Sequence, residues 1–189
     1  IGQGVKCTAP HGYSGVVANS NPKNIFANGG TFAAWIYPKT HGQSDFGRIA
    51  EKDNGVAGGG WLFFLCGPAA SGCGGGYRLR FNHDFEVGTV IAAWNSPENS
   101  ISLNAWNHVA VVYDSSNTAN DPTFYVNGAA VAATETTAPS GTADLDSTDN
   151  LWFGNNDGLT RDFNGFMDEV RAYNRALSAN EIKTLYNSG

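Results

Sequence analysis

Asp84 and Glu86 stand two residues apart in the run HDFE, the nearest this sequence comes to the paired carboxylates of a glycosidase. Residues two apart on a strand share a face, whereas glycoside hydrolysis needs two carboxyl groups roughly 5 to 10 Å apart across a cleft. A solvated acidic loop is the preferred reading. The four histidines have no Gly-x-Ser-x-Gly elbow to activate, and His108, inside an apolar run, reads as a satisfied structural histidine. None of the three cysteines belongs to a Cys-x-x-Cys pair, so zinc is not indicated. Nucleophilic and zinc chemistry both lack a complete set of residues.

Binding chemistry is better supplied. Sugars present apolar C–H faces that stack on aromatic rings, and their hydroxyls need mixed donors and acceptors. Five tryptophans are many for this length. Trp61, Trp94 and Trp152 are the candidates for such a stacking surface. Trp94 is followed by Asn95, and a neighbouring run carries Arg80 and Asn82. That combination is the candidate sugar platform, with a purely core role for Trp94 as the open alternative. Asn155, Asn156 and Asp157 in NNDG offer further polar contacts. Asp144, Asp146 and Asp149 have loop spacing but lack the Gly and closing Glu of an EF-hand loop, so they read as a solvated turn, with ion binding as the lesser alternative.

The elements that must position these residues follow from composition and rhythm. The chain has 189 residues, only 15% of them charged, with 24 glycines. This suits many short strands and tight turns, and the length fits one all-β domain spanning 1–189. A net charge of −6 without a basic cluster argues against nucleic acid or an anionic membrane as partner. No apolar run is long enough to insert into a bilayer. Strand-length apolar runs recur at 31–37, 61–65, 77–81, 90–94, 108–113, 123–126, 151–153 and 166–173, with all seven prolines between them or at their edges. HVAVVY and WLFFL are apolar at successive positions, so both faces should meet apolar surroundings. In YRLRF, Tyr77, Leu79 and Phe81 alternate with Arg78 and Arg80, which predicts one buried and one wet face. In FMDEVRAY the pattern puts Phe166, Asp168, Val170 and Ala172 on one side. One helix is expected at 179–187, opened by a capping box of Ser178 and Glu181 and a staple of Leu177 on Ile182. Cys66 and Cys73 bracket GPAASG at a spacing that suits a disulfide across a hairpin neck, the alternative being two reduced thiols. Cys7 is left over.

The closing stretch FNGFMDEVRAYNRALSANEIKTLYNSG resembles the end of laminin G-like domains in the concanavalin A-like lectin and glucanase superfamily. TFAAWIYP, WNHVAVVYD and FYVNGAAV are similar to family segments in the same order. The resemblance implies an all-β fold: a two-sheet antiparallel jelly-roll sandwich with one short C-terminal helix. It further implies a structural Ca²⁺ held by Asp168 together with backbone carbonyls near the N-terminus. An aspartate that caps backbone N–H groups or pairs with Arg171 is the alternative. Glucanases of the superfamily carry Glu-x-Asp-x-x-Glu on one strand, and related polyuronate lyases use an Arg-rich strand with Gln-x-His and a Tyr. Neither set is complete here, although Arg78, Arg80 and His83 are similar to part of the second. The expectation is therefore a non-catalytic carbohydrate-binding or adhesive module, secreted or at a cell surface, whose partners are a glycan or glycosylated surface and neighbouring domains of a larger chain. The site would comprise Trp94, Arg80, Asn82, Asn155 and Asp157. The alternative class is a structural jelly roll of a surface layer, stalk or virion, and a polysaccharide hydrolase or lyase ranks below both.

Overall fold

The computed structural model describes residues 4–7, 15–17, 23–53 and 59–189. Among them are thirteen strands, a three-residue 3-10 turn at Gln43–Asp45 and one α-helix. One antiparallel sheet has six strands, in the spatial order β1 (Val5–Cys7), β13 (Gly165–Tyr173), β3 (Gly30–Pro38), β8 (Asn107–Tyr113), β9 (Thr123–Val126) and β10 (Ala129–Val131). The other has seven: β11 (Thr134–Thr137), β7 (Val90–Asn95), β6 (Arg78–Phe85), β5 (Trp61–Cys66), β4 (Arg48–Lys52), β12 (Leu151–Phe153) and β2 (Gly15–Val17). This is the jelly-roll sandwich, in which strands far apart in sequence become neighbours.

The core lies between the sheets and follows the period-two alternation of the strands. Phe32, Ala34 and Ile36 of β3 face Trp61, Phe63 and Leu65 of β5, and Val109 and Val111 of β8 join Leu79, Phe81 and Phe85 of β6 in the same cluster. The doubly apolar runs are explained by what covers their second face. On the six-stranded sheet, Ala33, Ala110 and Tyr125 meet Leu177 and Ile182. On the seven-stranded sheet, Leu62 and Phe64 meet Ala70 and the bonded pair Cys66–Cys73. The expected disulfide is thus present, and Cys7 is a buried free thiol whose pKa is pushed up to about 11, chiefly by burial.

The helix α1 runs Ala179–Ser188 with the capping box as expected: the Ser178 hydroxyl accepts from the Glu181 N–H, and the Glu181 carboxylate accepts from the Ser178 N–H at 2.8 Å. Thr31, fully buried in β3, ties the segment before the helix to the sheet. Its hydroxyl donates to the Arg175 carbonyl and accepts from the Leu177 N–H, both at 3.0 Å.

Two expectations about faces are corrected. In β13 a bulge between Asp168 and Arg171, with Glu169 at φ 49°, interrupts the alternation. Met167 enters the core, Val170 and Ala172 pack on it after the bulge, and Asp168 lies opposite Trp35, so the four residues do not share one side. In β6 the arginine face is not open to water: Arg78 is buried and Arg80 is half-buried, because the disulfide loop folds over them.

Candidate functional site

The outer face of the seven-stranded sheet gathers most of the polar side chains singled out above. Register places Trp152, Glu51, Leu62, Asn82 and Ala93 in one row across five strands, and Arg48, Phe64, Arg80 and Asn95 in the next. At the β5–β7 end the disulfide loop closes the face. Gly72, in the left-handed region at φ 77°, turns its carbonyl down so that it accepts from both Arg80 and Asn95. Arg80 also donates through Nε to Asn82 Oδ1 at 3.0 Å and through Nη1 to Asn95 Oδ1 at 3.2 Å. Arg80 and Asn82 are brought together as expected, but the guanidinium is largely occupied in holding loop and sheet. Burial lowers its pKa from the usual value.

At the β4–β12 end the described residues leave a groove of about 360 Å³ whose lining includes Arg48, Glu51, Leu62, Asn156 and Asp157. It continues into a second recess of about 330 Å³ lined by Trp152, Thr148, Asp149 and Asn150. Asp53 and Asp157 belong to both. The floor is rigid. Arg48 Nε donates to Glu51 Oε2 at 2.6 Å, its guanidinium lies 4.6 Å from the centre of the Phe64 ring, and Glu51 Oε1 accepts from the Asp157 N–H at 3.3 Å. Burial raises the Glu51 pKa while Arg48 opposes the shift.

The loop that supplies Asn156 and Asp157 is built around Asn155. This residue is fully buried: its Oδ1 accepts from the N–H groups of Asn156 at 2.9 Å and Arg161 at 3.1 Å, while its amide donates to Asp162. Asn155 is therefore corrected from a sugar contact to the residue that shapes the loop, since its buried side-chain oxygen and amide are both engaged by its own chain. Asp157, by contrast, is exposed and borders both recesses.

Trp94 is corrected as well. It is completely buried between the sheets, its ring 5.2 Å from that of Tyr113, and its N–H donates to Asp121 at 2.7 Å. No face of the indole is left for a ligand. The tryptophan that does reach the groove is Trp152, partly exposed on β12. The signal that would have selected it is its position three residues before NNDG, on the same rim.

The other chemical candidates fall elsewhere. Asp84 is buried beside Gly59 and Gly60, and its pKa is raised to about 7 by burial first and by Asp53 and Asp144 next. Glu86 instead accepts from the Thr142 N–H at 2.7 Å, so the two carboxylates do not face each other across a cleft. His83 is buried with Nδ1 3.0 Å from the Asp84 carbonyl, and His108 has a pKa lowered to about 4 by burial and by Arg171. Asp146, read as part of a solvated turn, is 3% exposed and pairs with fully buried Lys52 at 2.8 Å. Asp144 caps the turn at Val87 and Gly88 through both carboxylate oxygens. On the other sheet, Asp168 Oδ1 accepts from the Glu169 N–H at 2.9 Å, while Oδ2 is buried without a hydrogen-bond partner. Arg171 pairs with Glu169, not Asp168. No group of three His, Cys, Asp or Glu placed to hold a metal occurs among the described residues.

Comparison with known proteins supports the architecture. A family model described as the concanavalin A-like lectin/glucanases superfamily matches residues 11–183. No curated protein matches the sequence. Similar solved structures include the CBM40 of a Ruminococcus gnavus IT-sialidase bound to α2,3-sialyllactose, with TM-score 0.63, 14% identity, and coverage of 97% of this chain and 94% of that one. Another is domain 4 of AbnA, an extracellular GH43 arabinanase from Geobacillus stearothermophilus, in complex with arabinotriose, with TM-score 0.56, 16% identity, and coverage of 93% and 88%. The binding domain of Paraclostridial mosquitocidal protein 1 matches with TM-score 0.57 and 16% identity over 94% of this chain but 41% of its own length. At such identities the likeness is one of fold.

Proposed function

This chain belongs to the concanavalin A-like lectin/glucanases superfamily, and from that premise we propose that it is a non-catalytic carbohydrate-binding or adhesive module of a secreted or surface protein. The observation that carries the reading is the groove on the outer face of the seven-stranded sheet, where Trp152 and Asn150 line one recess, Arg48 and Asn156 line the adjoining one, and Asp157 borders both. A partly exposed indole supplies a surface for the C–H face of a sugar, and the flanking amide and carboxylate supply acceptors and donors for its hydroxyls. Asp157 contacts the ligand from the rim. Asn82, next to Leu62 of the groove floor and held by Arg80, extends the polar strip toward β7. Two solved neighbours of the same fold hold sialyllactose and arabinotriose, which favours sugar binding as the use of this architecture. The disulfide suits an oxidising, exported setting.

A glycan array probed with the purified chain tests the proposal, followed by titration of the best ligand. Trp152→Ala is expected to weaken binding roughly tenfold or more with little change in melting temperature, since the ring is not part of the core. Binding to no glycan would overturn the reading and leave assembly as the role of the domain.

The same reading includes a structural calcium ion at Asp168. The supporting observation is the buried Oδ2 with no hydrogen-bond partner, an oxygen of the kind a hard cation seeks. The backbone carbonyls expected near the N-terminus fall partly outside the described residues. Calcium is expected to raise the melting temperature by several degrees, EDTA to reverse this, and Asp168→Asn to abolish the response. An unchanged melting curve removes calcium from the account.

A further inference from the structure

We infer that the groove takes an uncharged glycan with adjacent free hydroxyls and turns away glycans that carry sialic or uronic acid, an inference that rests on the groove being the sugar site. The argument is one of charge and of donor count. Among the described residues, four carboxylates line the two recesses, those of Glu51, Asp53, Asp149 and Asp157, against one guanidinium, that of Arg48. That guanidinium is already engaged, with Nε on Glu51 at 2.6 Å, its plane over Phe64 at 4.6 Å, and its side chain only 11% exposed. A second cation close enough to act on Arg48, Arg161, directs Nη1 to the Thr160 carbonyl at 2.8 Å and lies over Phe46. The charge of Arg48 is offset by its own partner Glu51, and Arg161 is outside the lining of both recesses.

An ionised carboxylate only accepts hydrogen bonds, and its two oxygens together suit two hydroxyl donors from neighbouring ring carbons. Such charge-assisted bonds are shorter and stronger than neutral ones. A sugar acid brought to the same place meets like charge at close range in a partly enclosed recess, where water screens less than it does in bulk. The indole of Trp152 acts in the same direction, because the negative face of its ring attracts polarised C–H groups and repels anions. The chain as a whole, at −6, adds a long-range repulsion of the same sign.

The test uses the whole 189-residue chain on an array printed with each oligosaccharide beside its sialylated or glucuronylated counterpart, at low and at high salt. The neutral member of a pair is expected to bind about tenfold more tightly at low salt, and the gap is expected to narrow as salt rises. Asp157→Asn, an exposed loop position, is expected to narrow the gap about threefold at low salt, and Asp53→Asn to act in the same sense. Tighter binding of the acidic members, or a gap unmoved by both salt and Asp157→Asn, would overturn the inference while leaving sugar binding intact. Silence of every member, neutral and acidic, overturns sugar binding itself and the inference with it.

Discussion

Asp146→Ala is expected to destabilise the domain by about 3–5 kcal/mol, the usual cost of stripping one partner from a buried ion pair. For a chain of this size that lowers the melting temperature by roughly 10 °C or more. Asp146 joins segments that are remote in sequence. Its carboxylate accepts from Lys52 Nζ at 2.8 Å, from Trp61 Nε1 at 2.9 Å and from the Asn24 N–H at 2.6 Å, and its own N–H donates to Asn24 Oδ1 at 2.9 Å. Alanine would leave the Lys52 ammonium fully buried with no counter-charge and the indole N–H of Trp61 without its acceptor. Replacing both partners, as in Lys52→Met with Asp146→Leu, should recover much of the loss, because the uncompensated charge is gone. Urea or thermal unfolding of the two variants against the parent measures this. A single variant within about 1 kcal/mol of the parent would show that the pair is not buried as described.

Trp94→Ala is the second large effect, and its direction separates the two tryptophans. Truncating a fully buried indole typically costs about 3–5 kcal/mol, from lost transfer energy and the cavity left behind. Here Phe81, 6.2 Å away in a stacked arrangement, and Tyr113 lose their neighbour, and Asp121 loses the donor it accepts from. The variant is expected to unfold at much lower temperature, with any fall in ligand binding tracking the unfolded fraction. Trp152→Ala should do the reverse, keeping the melting curve and losing the ligand. Measuring both curves for both variants decides the matter. A stable Trp94→Ala protein that binds no sugar would restore Trp94 to the site.

The two tryptophans mark the boundary between what local sequence discloses and what only the folded sheets decide. The closing strand, its capped helix and the doubly apolar strands were legible, because each is a local pattern: a hydroxyl three residues before a glutamate, or alternation broken where both faces are covered. Trp94 was not. VIAAW is apolar at every position, so nothing local says which residues point inward, and its register against β6 settles that only after the sheet has formed. Asn155 and Asp157 sit two apart in one turn with similar chemistry, yet one is consumed by backbone N–H groups and the other faces the groove. Asp146 reads as a turn residue until Lys52, ninety-four positions away, is folded onto it. The face of YRLRF predicted to be wet is closed for the same reason: the loop between β5 and β6, tied by the disulfide and by bonds from Arg80 and Asn95 to the Gly72 carbonyl, folds back over it.

The seven-stranded sheet ends on one side in β11, a strand of sequence TETT that is exposed at every position and carries a register shift between Glu135 and Thr137. An edge with no apolar side chain, a negative charge and a kink is a poor template for a further strand. Among the described residues, the far edge of that sheet and both edges of the other are strands of three residues. Crowded side by side on a surface at high local concentration, copies of this domain should therefore stay separate and correctly folded, and not zip together edge to edge into fibrous aggregates.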